Sequence, residues 1–225
     1  MLKAQELKGN LEYALRAASQ QSHRPVLHGV YFDVNKGLLV GCDGYRLHIT
    51  TIDTLPIDNF IVNYADCKKL VNKIKKTGSP VSVTWENDKV IFSQRYKGKE
   101  ETYTFTPVWG NYPDYEVIMP KQEGKEITLS YDTTHMVNTV FGNLCSVTLS
   151  GNKAYARQNL PYPVTMDIPE DIQPEITVNP EYLFDAALDG GFLTLYVTEP
   201  TAPFLFKSGS FSGTIMPMSV KDQKQ

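Results

Sequence analysis

An α+β fold, built from two tandem units that each pack two helices on antiparallel β-sheet, is what three features of this sequence predict. The tripeptide Ile-Met-Pro occurs twice, at 118–120 and at 215–217. Reading backwards from each copy, the same succession appears: a strand, a helix, then three β-rich segments. Each of the second helices also opens on the same dipeptide, Val62-Asn63 in one half and Val178-Asn179 in the other. Helices alternating with hairpin-like runs, written twice, point to an α+β repeat with mostly antiparallel sheets. The two units are assigned to residues 1–120 and 121–225.

The first element, "LKAQELKGNLEYALRAAS", has the spacing of an amphipathic helix. "LLVGCDGYRLHITTI" follows as two β-rich runs around Asp43-Gly44, a hairpin signal whose two central positions are expected at positive φ. In "FIVNYADCKKLVNKIKK" a strand leads to Asn63, an N-cap residue, and then to a second helix. Cys67, Leu70, Val71 and Ile74 fall at i, i+3, i+4 and i+7 of that helix and form one apolar stripe. "VSVTWENDKVIFS" predicts another hairpin turning at Asn87-Asp88, and "ETYTFTPV" and "YEVIMP" complete the first copy. The polar stretch "PKQEGKE" reads as the joint between copies. In the second copy "YDTTHMVNTVFGNL" is helical, and Asn179 caps a further helix with Pro180 at its first position. "FLTLYVTEP", "APFLFKSG" and "GTIMP" supply the three closing strands.

Composition narrows the function classes. With 41% hydrophobic residues in 225, the chain can build sizeable cores, and no apolar run reaches the length of a membrane span. Cys42, Cys67 and Cys145 are three and widely spaced, which predicts thiols in a reducing cytoplasm rather than a disulfide framework. A net charge of −3 gives no global attraction to nucleic acid, so any such role must come from a local patch. One exists. Lys69, Lys73 and Lys76 project opposite the apolar stripe of the second helix, flanked by Lys68 and Lys75, against the single acid Asp66. Such a face is either a solvated surface or a contact for phosphates without sequence readout. The matching helix of the second copy carries Glu181 and Asp185 instead.

Catalytic signals are weak. Cys42, Asp43 and His48 share a hairpin, but strand alternation points Cys42 and Asp43 to opposite sides, and with His23 and His28 they match no zinc spacing. No Gly-rich phosphate loop is present, so neither metal, cofactor nor enzymatic activity is expected. The tail Met216-Pro217-Met218 reads as core filling or as an adaptable apolar docking wall, since methionines repack around varied ligands.

"RPVLHGVYFD", "LLVGCDGYRLHITT", "NYPDYEVIMP" and the terminal "TIMPMSV", in that order, resemble the middle and last domains of the bacterial replicative sliding clamp, the beta subunit of DNA polymerase III. The resemblance runs over nearly the whole chain, strongest in residues 11–120 and at the tail. It implies DNA-clamp units whose helices line a ring around duplex DNA, with Lys68, Lys69, Lys73, Lys75 and Lys76 as DNA contacts. It also implies a groove between two domains where a DNA polymerase or the clamp loader inserts a short hydrophobic peptide. By motif, that groove draws on Leu27, Gly44, Tyr45, Arg46, Leu47, Pro113, Ile118, Thr214, Met216, Pro217 and Met218, with "YEVIMP" as the structural counterpart of the tail. Cys42 and Tyr45 stand where the family has Thr and His, and Ser219 and Val220 replace its terminal Arg-Leu. The family's first domain has no counterpart in this sequence, so a six-unit ring is expected from a homotrimer. Tyr103 and Phe105 would pair with the region of Leu144 and Val147 on a neighbour. A non-encircling adaptor or decoy that keeps the peptide groove is the alternative. The expected setting is the cytoplasm of a bacterial cell or phage-infected host.

Overall fold

A computed structural model describes residues 1–21, 23–156 and 162–218, and the chain divides into two compact units, Met1–Asp114 and Tyr115–Gln225. In the first, α1 (Ala4–Ala17) precedes β1 (Gly29–Asp33), β2 (Leu38–Cys42), β3 (Arg46–Thr51) and β4 (Phe60–Asn63). Then come α2 (Tyr64–Lys73), β5 (Ser82–Glu86), β6 (Lys89–Tyr96) and β7 (Lys99–Phe105). The second unit holds β8 (Lys125–Ser130), α3 (Tyr131–Phe141), β9 (Val147–Ala156), β10 (Val164–Val178) and α4 (Pro180–Ala186). It ends with β11 (Phe192–Val197), β12 (Phe204–Ser208) and β13 (Phe211–Ile215). All described pairings within the units are antiparallel: β4-β1-β2-β3 and β5-β6-β7 in the first, β8-β11-β12-β13 and β9-β10 in the second. The predicted α+β class is the class observed.

Helices α2, α3 and α4 start on side-chain caps. Asn63 Oδ1 accepts the Asp66 N–H at 2.9 Å and Asn179 Oδ1 accepts the Glu181 N–H at 2.9 Å, each satisfying a donor that the first turn leaves open. Ser130 does the same for α3, taking the Thr133 N–H at 3.1 Å. Glu170, reaching over from β10, accepts the Ser130 N–H at 3.0 Å and the Thr133 hydroxyl at 2.8 Å. A carboxylate at a helix N-terminus also meets the positive end of the helix dipole.

The apolar stripe of α2 is buried as predicted, but the helix stops sooner. Cys67, Leu70, Val71 and Ile74 all lie in the core, yet Ile74 already has extended backbone (φ −58°, ψ 124°) and caps the helix. Buried Gln94 holds the chain beyond it. Its Oε1 accepts the Lys75 N–H at 2.9 Å, while its Nε2 donates to the carbonyls of Lys75 at 2.8 Å and Ser79 at 3.0 Å. Lys75 and Lys76 therefore sit on a turn rather than on the helix face.

Two further expectations are corrected. The Asn87-Asp88 turn has positive φ at both positions (50° and 60°), but the Asp43-Gly44 turn has it only at Gly44 (95°). The reason is a longer loop. Cys42 pairs with Leu47, and the Asp43 carboxylate organises the four residues between, its Oδ1 accepting the N–H groups of Tyr45 at 2.9 Å and Arg46 at 3.0 Å. Nor is "YEVIMP" a counterpart of the tail. Ile215 ends strand β13, whereas residues 115–120 form no strand and all belong to the second unit. The joint segment "PKQEGKE" is likewise partly structured, since Lys125 and Glu126 already pair in β8 with Val197 and Tyr196.

Gly41 is where α1 meets its sheet. A Cβ there would fall 1.9 Å from the Ala14 carbonyl oxygen, so helix and strand approach as only glycine permits. Gly41→Ala is expected to destabilise the protein by about 2 kcal/mol or more through overpacking, read as a lower urea midpoint at unchanged m-value.

Candidate functional site

In the first unit the hairpin β2–β3 carries Gly44, Tyr45, Arg46 and Leu47, four of the residues that the sequence nominates for docking. Asp43 fixes its tip, and its Oδ2 also accepts from Arg46 Nε at 3.1 Å, so the guanidinium is folded back onto its own turn and largely buried. Tyr45 is turned outward, 58% exposed, whereas Leu47 is 1% exposed and belongs to the core beneath. Leu27 is drawn in beside the hairpin because the Ser19 N–H is shared between the carbonyls of Leu27 (3.0 Å) and Cys42 (3.3 Å). Gly44 is exposed at the tip, with Arg24 Nη1 3.0 Å from where its Cβ would stand. Pro113 is exposed as well.

Trp109 was not among the sequence-derived candidates. It is exposed between two fixed points, the Val108 N–H donating to Ile61 O at 2.9 Å and Gly110 packed against Val26, the neighbour of Leu27. The signal available was an aromatic next to glycine in "VWGNYPDY".

In the second unit the two Ile-Met-Pro segments meet. The Thr214 hydroxyl donates to Met119 Sδ at 3.2 Å, which sets Ile118, half exposed, beside the end of β13. Thr214 itself is buried, and Met216 is 39% exposed. Pro217 and Met218 are half-buried, with the Met218 N–H donating to Thr177 O at 2.8 Å. Ser219 and Val220 lie outside the described residues.

The lysine face divides into three environments. Lys68, Lys69, Lys73 and Lys76 are exposed and Lys75 is half-buried. Lys68 Nζ lies 4.6 Å from the centre of the Tyr64 ring, beside a cavity between α1 and α2 bounded by Glu12, Leu15 and Arg16. Lys69 pairs with Asp66 at 2.8 Å, and Lys73 Nζ stands 5.9 Å from the Tyr103 ring.

The expected interface residues are mostly engaged within their own unit. On β7, which pairs only with β6 among the described strands, the Tyr103 hydroxyl donates to Glu101, and Phe105 is buried against Phe92. Burial first and the Glu101 carboxylate next push the Tyr103 phenol up to about 12. Val147 is fully buried and paired to Val178, β9 pairs only with β10 among the described strands, and Leu144 is half-buried.

Cys42, Asp43 and His48 do not assemble into a catalytic group. Asp43 is consumed by its turn, burial raises the Cys42 thiol, and His48 is sealed in the core, stacked on Tyr13 at 4.6 Å. No cluster of three metal-ligating side chains occurs among the described residues, and no described helix is long and apolar enough to cross a membrane.

These features can be compared with known proteins. The beta subunit of the DNA polymerase of Streptococcus pyogenes superposes with a TM-score of 0.82 at 20% identity, over 97% of this chain and 65% of that one. The chain has the fold of a DNA polymerase sliding clamp. The clamp of Pseudomonas aeruginosa matches equally (TM-score 0.82, 20% identity, 97% of this chain), and that of Caulobacter crescentus at 0.80 with 22% identity. The chain spans 64 to 66% of the length of these clamps. No protein-family model and no curated protein matches it by sequence.

His48 gives the first unit a defined acid sensitivity. Burial, then the positive charge of Arg46, holds the imidazole down to about 3, so it is neutral in the fold but takes a proton once unfolded below about 6.5. Stability should therefore fall as pH drops through that window, by about 1.4 kcal/mol per unit, and level off near the lower value. Urea unfolding at pH 7 and pH 5 tests this: in His48→Gln the difference between the two should shrink by about 2 kcal/mol.

Proposed function

We propose that this chain is a DNA sliding clamp, a processivity factor that encircles duplex DNA and tethers a DNA polymerase without catalysing a reaction itself. The observation that carries this reading is the likeness in fold to DNA polymerase sliding clamps over 97% of the chain. Tethering by linkage needs no tight contact with DNA. A closed ring raises the local concentration of whatever it holds, and mobile lysine contacts to phosphate allow it to slide.

Two clamp units per 225-residue chain make a six-unit ring from three copies, joined head to tail in a heterologous interface that closes. The edge strand β7, with Tyr103 and Phe105, would meet the edge of β9 near Leu144 and Val147 of the next copy. The polymerase and the clamp loader would dock by a short hydrophobic peptide, and the residues proposed for it are Leu27, Gly44, Tyr45, Arg46, Leu47 and Pro113 of the first unit and Ile118, Thr214, Met216, Pro217 and Met218 of the second. The setting is the cytoplasm of a bacterium or a phage-infected cell, and no cofactor is required.

The acidic outer face of α3 and α4 favours a second reading, in which the protein keeps the peptide site but acts as a non-encircling adaptor. Solution mass separates the two. Light scattering over a dilution series is expected to give about 76 kDa, three chains of 25.3 kDa each. A strict monomer at the highest concentration would remove ring closure and leave the adaptor.

Docking is tested with a labelled short hydrophobic peptide taken from the end of a polymerase or clamp-loader subunit. Tyr45→Ala combined with Met216→Ala should cost about 2 kcal/mol, roughly 30-fold in Kd, if these exposed side chains are anchors. The mass should be unchanged. Equal affinity for both proteins would reject the docking assignment.

A further inference from the structure

The two units present opposite charge on their helices. In the first, α2 and the turn after it expose Lys68, Lys69, Lys73 and Lys76, with Lys75 half-buried and Asp66 as the single acid, already paired to Lys69. Lys8 and Arg16 of α1 balance Glu6 and Glu12 of the same helix, and Arg16 joins Lys68 along the cavity between α1 and α2. In the second, α3 and α4 contain no lysine or arginine. Their exposed side chains are Asp132, His135, Met136, Thr139 and Val140 on α3 and Glu181 on α4, and Asp185 of α4 is half-buried. Glu181 and Asp185 border a cavity of about 380 Å³ between these helices, whose other walls are uncharged. The described lysines of this unit, Lys121, Lys125, Lys153 and Lys207, lie on strands or before β8, away from the helix pair in sequence and element.

We infer that duplex DNA is contacted by the helices of the first unit alone, and that the α3–α4 face of the second repels phosphate. The inference rests on the sliding-clamp reading, and it makes that reading consistent with a net charge of −3. At the first unit, mobile ammonium groups replace the cations condensed on a phosphate and release them to bulk solution, which is the favourable term in nonspecific binding. At the second unit the same phosphate would meet two or three carboxylates and two exposed apolar side chains, with no cation to replace the released ions. Binding would then be carried by half of the units, loose enough for sliding and strongly dependent on salt.

The test is anisotropy of a fluorescent 30-base-pair duplex of mixed sequence, titrated with the full chain at several salt concentrations. Neutralising the first unit (Lys68→Gln, Lys69→Gln, Lys73→Gln) should weaken binding at least tenfold at low salt and flatten the log–log salt slope by about 2 to 3, near 0.9 per lost phosphate contact. Neutralising the second (Asp132→Asn, Glu181→Gln, Asp185→Asn) should instead tighten binding about threefold at 50 mM salt, a gain that fades by about 0.3 M as screening sets in. Should Asp185 prove necessary for folding, judged by far-UV circular dichroism, the Asp132→Asn, Glu181→Gln pair gives the same direction. Unchanged or weaker binding by the second variant, with wild-type binding intact, overturns this inference alone. It would mean that the acidic face is neutral toward DNA or binds it through bridging cations. No duplex binding by any of the proteins overturns the clamp reading and the inference together.

Discussion

A helix with one apolar stripe can be buried on one side only, and that constraint decides where the charge of this protein points. In α2 the stripe of Cys67, Leu70 and Val71 faces a core built with Val62, Val83 and Phe92. Everything opposite it must face water, and there the sequence has placed lysines. In α4 the stripe is Leu183 and Ala186, and the opposite side carries Glu181. The architecture of the two units is alike, so the difference between them is one of surface composition on a shared frame. Each outward residue can change without cost to the core, which is why one frame can carry a cationic face in one unit and an anionic face in the other.

Much of that frame was legible because its signals are local. Asn63 and Asn179 announce helix starts through a side chain that reaches two or three residues ahead. Asn87-Asp88 announces a tight turn because its residues tolerate positive φ. What stayed hidden depends on partners distant in sequence. The end of α2 is set by Gln94, about twenty residues later, whose amide satisfies the chain after Ile74. The start of α3 is reinforced by Glu170 of β10, about forty residues away in sequence, whose position no local pattern marks. Among the candidate site residues, motif alone nominated Tyr45, Leu47, Val147 and Met216 alike, but it could not tell that the first and last are exposed while Leu47 and Val147 are buried. Alternation says which face a side chain takes, not whether another element covers that face.

The repeated Ile-Met-Pro makes the same point from the other direction. Identical tripeptides suggested equivalent places in two copies, yet one ends a strand and the other lies in an irregular segment. Proline accounts for what they do share. It cannot donate to a sheet ladder, so it stops a strand in one place and keeps the chain out of one in the other. The flexible thioether before it is then free to fill space, and Met119 uses its sulfur to accept the Thr214 hydroxyl. The two copies are related by contact within the second unit rather than by equivalence between units.

The hairpin β2–β3 ties the first unit's two surfaces of interest to one another. Its flank receives α1, with Gly41 against the Ala14 carbonyl and the His48 ring stacked on Tyr13, whose carbonyl oxygen lies 3.2 Å from His48 Nδ1. Its tip is the Asp43–Arg46 turn that presents Tyr45. Helix α1 in turn packs beside α2, sharing with it the cavity flanked by Arg16 and Lys68. The chain of contacts from the exposed Tyr45 to the exposed Lys68 thus runs through the Asp43 carboxylate that organises the turn, a buried neutral imidazole and a glycine against the Ala14 carbonyl. A buried histidine kept neutral is tolerated here because its ring does the work of an aromatic. Tyr13 stacks on one face, and a charged residue in its place would demand a counter-ion inside a buried core.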